Sequence, residues 1–140
     1  MITVIVESAQ DAESLATCLA SLVPAAVDGI VREVILVAAA PSEAVCSLAE
    51  DSGAGLTGDL ETAIAAAKSD WLLILPATVR LEEGWQREAA VHVQRHGDRA
   101  ARFRRAGVLG WFRRSGLLVR KDRRGVVRRP RLLDGRAFPA

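Results

Sequence analysis

The sequence predicts an α/β fold: a three-layer α/β/α sandwich around a mainly parallel sheet. Short apolar runs at Ile2–Val6, Val34–Val37 and Trp71–Leu75 have the length and composition of buried strands. Segments of about ten residues with helical periodicity separate them. Strand and helix in alternation bury their apolar surfaces together when a parallel sheet is covered on both faces.

Each element has its own local reason. After the first strand, Asp11 to Leu22 carries Leu15, Cys18, Leu19 and Leu22 at the i, i+3, i+4, i+7 spacing of one helix face. Val34–Val37 is the second strand. Pro41 suits a first helical turn, and the helix it opens runs to about Ser52 and stops at Gly53. Leu56 and Thr57 form a short third strand, and Asp59 N-caps the alanine-rich segment Leu60 to Lys68. Trp71–Leu75 is the clearest strand, ended by Pro76. A last helix runs from Glu82 to about Arg95, with acids in its first turn as the helix dipole favours.

A chain of 140 residues, 50% of them hydrophobic, fits one compact domain with a real core. No apolar run reaches the roughly 18 residues that a membrane span needs. The amino terminus lacks the basic region and small-residue cleavage site of a signal peptide, so the expected location is cytoplasmic, with a peripheral membrane position as the variant. Cys18 and Cys46 fall in separate helices and read as reduced core residues.

The net charge of +2 conceals a polarity. Through Gln86 there are three basic residues against thirteen acidic, a balance of −10; from Arg87 onward there are sixteen against four, a balance of +12. Such a chain can fold its basic part over its acidic part, pair head to tail with a second copy, or offer the basic part to an anion.

Ligands of open parallel sheets bind beyond the carboxyl ends of the strands. Those ends are Val6 to Gln10, Val37 to Ser42 and Leu75 to Arg80. None carries a glycine-rich phosphate cradle, which argues against dinucleotide-binding and P-loop chemistry.

Three blocks carry a resemblance. Thr3-Val4-Ile5-Val6-Glu7-Ser8-Ala9-Gln10-Asp11 looks like an opening strand and loop of the form S-V-I-I-P-T-x-N-E. Glu33 to Glu43 looks like a second strand with its V-D-D/G-G-S-T-D loop. Ser69 to Leu81, SDWLLILPATVRL, falls on G-D-W-L-L-F-L-D-A-D-T-x-L, followed by Gly84-Trp85. In these blocks residues 1 to about 104 resemble the nucleotide-binding half of family 2 glycosyltransferases, which have the GT-A fold. The arginine-rich segment 105–140 is expected to pack on the same domain.

The resemblance implies a nucleotide or nucleotide sugar as ligand, and substrate-binding positions at Glu7, Ser8, Asp11, Ala38, Pro76 and Thr78. At these positions the chain departs from the family. Glu7 and Ser8 stand for the family's Pro-Thr, and Ala38 stands for an aspartate that contacts the nucleoside. Pro76 and Thr78 stand for the two aspartates that hold a divalent metal. A cation bridging two phosphates needs anionic oxygen ligands; Thr78 offers one neutral hydroxyl and Pro76 none. No metal or other cofactor is therefore expected, and leaving-group charge would have to be met otherwise, for example by arginine. The family's second half, about a hundred residues with an acidic catalytic pair, has here only some sixty residues after Thr78. Gly116 to Asp122 faintly resembles a strand of that half, and no catalytic residue is assigned.

Glu7 also reads as an ordinary loop carboxylate. His92 and His96, at i, i+4, read as a solvated helix face for want of a third metal ligand, and Trp71 and Trp85 as core anchors. From Arg102 to Arg131 a run of basic residues interleaves with Phe103, Trp111, Phe112 and Leu117–Val119. Arginine forks suit phosphates, so RNA, a polyanionic glycan precursor or an anionic membrane are open as partners. Neutralisation by the acidic front half, in the same chain or a second copy, is equally open. Two functions follow: a glycosyltransferase-like protein with weakened or lost metal-dependent transfer, or a non-catalytic module that self-associates as a homo-oligomer or binds an anionic partner.

Overall fold

The computed structural model describes residues 1–7, 9–105, 116–122 and 131–139, with backbone alone at 104, 105, 131, 132 and 134–136. Its strands are β1 (Ile2–Glu7), β2 (Val31–Val37), β3 (Gly55–Thr57), β4 (Trp71–Pro76), β5 (Val79–Leu81), β6 (Ala101–Arg105), β7 (Leu117–Arg120) and β8 (Arg131–Pro139). The helices are α1 (Ala12–Val27), α2 (Glu43–Ser52), α3 (Leu60–Ala66) and α4 (Trp85–Arg95).

All eight strands join one sheet in the order β3-β2-β1-β4-β7-β6-β8-β5. The first four are mutually parallel, with Val6 beside both Leu36 and Leu75 and Glu7 beside Pro76. β7 runs antiparallel to β4, and β8 is parallel to β6 but antiparallel to β5. Leu15, Cys18 and Leu22 of α1, Val45 of α2, and Trp85 and Ala89 of α4 bury against one face, with Val4, Val6, Leu73 and Leu75. Ala63 and Ile64 of α3 bury against the other with Ile5, Ile35 and Leu72. That is the three-layer α/β/α arrangement the alternation predicts.

Local chemistry sets the boundaries. Asp11 caps α1 by accepting from the Glu13 and Ser14 amides, and α1 continues past Leu22 through Pro24 to Val27. The expected end at Leu22 was too early, because the PAAV segment prolongs the helix. Ser42, not Pro41, starts α2: its hydroxyl accepts from the Val45 amide at 3.2 Å, leaving Pro41 outside. Gly53 ends α2 at φ +70°, the left-handed conformation glycine tolerates. The last helix starts at Trp85 rather than Glu82, because Gly84 takes φ +88° immediately before it. Glu82 and Glu83 therefore precede the helix, and Glu88 is the acid of its first turn.

Trp71 and Trp85 are core anchors as expected, 7% and 1% exposed, and the Trp85 indole donates to the Ser21 carbonyl at 3.0 Å. The His92 expectation fails. His92 is fully buried, edge-on to Trp71 and stacked on His96, with Nε2 hydrogen-bonded to the Arg99 carbonyl. Burial of the Trp71 ring beneath α4 draws it in. Of the two cysteines, both free, Cys18 is buried and Cys46 half-buried.

Candidate functional site

The carboxyl ends of β1, β2 and β4 meet at one end of the sheet, and backbone hydrogen bonds fasten their loops together. The Ala77 amide donates to the Glu7 carbonyl at 2.9 Å, the Ala9 amide to the Val37 carbonyl at 3.1 Å, and the Ala38 amide to the Thr57 carbonyl at 2.9 Å. Glu7, Pro76 and the residues after Val37 are thereby brought to a common edge. Each expected position can be followed there. Glu7 ends β1 half-buried, in register with Pro76. Ser8 lies outside the described residues. Asp11 is exposed, and its carboxylate serves the helix: it accepts from the Ser14 hydroxyl at 2.7 Å and the Ser14 amide at 3.2 Å. Those bonds hold its pKa below the usual aspartate value. Ala38 is 4% exposed. Pro76 is half-buried, and Thr78 is exposed.

The β4–β5 segment alternates strictly. Leu75, Ala77, Val79 and Leu81 all enter the core cluster under α1 and α4. Pro76, Thr78 and Arg80 stand out of it, half-buried or exposed. Glu7 likewise follows Val6 of that cluster and so falls on the opposite side. The residues of β1's end and of the β4–β5 segment that stand out of that cluster are thus Glu7, Pro76, Thr78 and Arg80, with one carboxylate among them. Among the described residues no group of three or more His, Cys, Asp or Glu side chains comes together as a metal site. The donor set of this loop does not fit a divalent cation bound to phosphates, which needs several hard anionic oxygens at short range.

Sequence reasoning passed over β5 and what holds it. β5 pairs with β8 so that Arg80 lies opposite Phe138, and the Arg80 guanidinium carbon sits 4.7 Å from the centre of that ring. The signal was present in the alternation V-R-L after Thr78, but three residues are too few to declare a strand.

Part of the basic segment is also described. Arg120 pairs with Asp98 and with Asp122, each at 3.1 Å, so it is neutralised within the basic half of the chain. The Lys121 ammonium donates to the Ala65 and Ala67 carbonyls at the end of α3, where the helix dipole favours a cation. Arg113, Arg114, Arg123, Arg124, Arg128, Arg129, Trp111 and Phe112 lie outside the described residues. Among the described residues no helix is long and apolar enough to cross a membrane.

No family model matches the chain, and no curated protein matches it in sequence. Solved structures do. Glucosyl-3-phosphoglycerate synthase from Mycobacterium tuberculosis, in complex with Mn2+, uridine diphosphate and phosphoglyceric acid, is similar at a TM-score of 0.68 and 14% identity over 87% of this chain. S. aureus TarS 1-349 in complex with UDP-GlcNAc is similar at a TM-score of 0.61 and 18% identity over 78% of this chain. This chain spans 56% of the first structure and 35% of the second. At these identities the likeness is one of fold. The strand order, the helices on both faces and these structures agree: the chain has the GT-A fold of nucleotide-sugar glycosyltransferases.

Proposed function

We propose that this protein binds a nucleoside diphosphate or nucleotide sugar beyond the ends of β1, β2 and β4 without a divalent metal, and that ordinary metal-dependent glycosyl transfer is weakened or lost. The observation that carries this reading is the outward set at the β4–β5 turn, Pro76 and Thr78, which supplies no carboxylate. The solved structures of the same fold support the ligand class, since one was determined with uridine diphosphate and Mn2+ and another with UDP-GlcNAc. Glu7, the one acid among Glu7, Pro76, Thr78 and Arg80, suits the hydroxyl and N–H donors of a nucleoside and repels its phosphates. Asp11 caps α1, which leaves it a structural task in this reading.

The test is a titration of the protein with uridine and guanosine diphosphates, alongside an assay for hydrolysis or transfer of UDP-glucose and UDP-GlcNAc. Micromolar binding without turnover supports the proposal. Absence of binding at millimolar nucleotide, or metal-stimulated turnover, sinks it.

A second reading, an assembly module, has one observation in its favour. α1 exposes Val23 at 56% and Val27 at 80%, beside an apolar groove of about 350 Å³ between α1 and α2. A homo-oligomer or an anionic partner held by the arginine-rich segment belongs to this reading. Sizing at low and high salt separates them, because charge contacts weaken with screening and apolar ones do not.

A further inference from the structure

A diphosphate that arrives at this edge without a metal still needs positive charge, and the β4–β5 segment that leaves the edge carries one exposed cation. Arg80 is exposed two residues after Thr78, on the side of the strand turned away from the core cluster that holds Ala77, Val79 and Leu81. We propose that Arg80 is the phosphate-binding residue of the cleft, its guanidinium taking the oxygens that a metal would otherwise bridge. This inference rests on the nucleotide-binding reading above and adds the residue that makes it possible.

Three features support it. First, Arg80 has no ion pair with any described carboxylate, unlike Arg120, which two aspartates neutralise. Second, its guanidinium carbon lies over the Phe138 ring, 4.7 Å from the ring centre, and β5–β8 pairing sets Arg80 directly opposite Phe138. That contact restricts the side chain before any ligand arrives, so less side-chain entropy is lost on binding, and among the described residues no carboxylate pairs with the fork. Third, the only other cations in residues 1–86 are Arg32 and Lys68. Arg32 opens β2, at the far end of the sheet, and donates to the Lys68 carbonyl just before β4. Neither stands at the carboxyl ends of the strands. An arginine fork binds two phosphate oxygens at once and keeps its charge at every physiological pH.

The experiment compares wild type, Arg80→Ala, Arg80→Lys and Phe138→Leu for binding of uridine diphosphate and of uridine, in EDTA, with melting curves for each. Wild type is expected to bind the diphosphate, and Arg80→Ala to bind it roughly 10- to 100-fold more weakly, the range for a lost charge-assisted phosphate contact. Arg80→Lys should recover part of that loss, Phe138→Leu should show a smaller one, and uridine should bind all four alike. Equal diphosphate affinity in wild type and Arg80→Ala overturns the role of Arg80 while leaving the nucleotide-binding reading intact. An equal loss for uridine and the diphosphate also overturns it, since the arginine would then act through the fold. No binding of either ligand by wild type overturns both.

Discussion

Replacing Thr3 with valine tests how the sheet is held at the end opposite the cleft. Thr3 is fully buried on β1. Its hydroxyl donates to Glu33 Oε1 at 2.9 Å and accepts from the Ser69 amide at 3.3 Å, while the same Glu33 oxygen accepts from the Lys68 amide at 2.6 Å. One side-chain pair therefore ties β1, β2 and the entry to β4. Valine has nearly the same shape, so no cavity opens. The hydroxyl's bond to a carboxylate is worth about 1.5–3 kcal/mol, and the Ser69 amide loses its acceptor at a further cost of about 1 kcal/mol. The added methyl returns about 1 kcal/mol through apolar burial. The net expectation is a loss of about 1.5–3 kcal/mol, seen as a lower urea midpoint with unchanged slope and a Tm fall of roughly 5–10 °C for a chain of this size. Glu33→Gln, which keeps an acceptor, should cost less, and the double variant should be less than additive. A Thr3→Val protein within about 0.5 kcal/mol of wild type would refute the reasoning, since that is the scatter of substitutions away from any such network.

Further expectations test other parts of the fold. A Cβ at Gly116 would lie 3.2 Å from Leu75 Cδ2 and 3.3 Å from both Leu73 Cδ1 and Phe103 Cδ2, so Gly116→Val should cost about 1–3 kcal/mol by overpacking, measured by urea melts. Burial pushes the Cys18 thiol up to about 12; at pH 8 a thiol reagent should label Cys46 and reach Cys18 only after unfolding. The Thr62 amide and hydroxyl bonds hold the Asp59 carboxyl below its ordinary value of 3.8. Its contribution is present above that value and is lost as pH falls through the lower folded one, so Asp59→Ala should destabilise at pH 6 and flatten the stability curve below about pH 4.

The parallel half of the fold was legible in the sequence because its central strands, β1 and β4, are buried on both faces and read as unbroken apolar runs. Ile2–Val6 and Trp71–Leu75 needed no partner to be recognised. The other half was not. β6 carries Arg102, Arg104 and Arg105 and β8 contains Asp134 and Gly135, so neither has an apolar run; they exist by pairing with each other, β6 also with β7 and β8 also with β5. His92 misled for a related reason: a polar residue at helical spacing looks solvated until a tryptophan from a strand 21 positions earlier covers it. At the cleft, the motif alignment located the β4–β5 turn and its missing carboxylates. At Asp11 the motif alignment gave a ligand position, and the spacing to Ser14 that makes it the N-cap of α1 was passed over. Arg80 escaped notice because its position depends on Phe138, fifty-eight residues away in the chain.

The central claim is that Pro76 and Thr78 leave a nucleotide-binding cleft with no use for a divalent ion. Calorimetric titration with uridine diphosphate, in saturating Mn2+ and again in EDTA, tests it most directly. The account predicts micromolar binding with the two affinities equal to within about twofold, since no donor set is present to couple metal to phosphate. Affinity at least roughly tenfold higher with Mn2+, about 1.4 kcal/mol of coupling, would contradict it, as would no binding in either buffer.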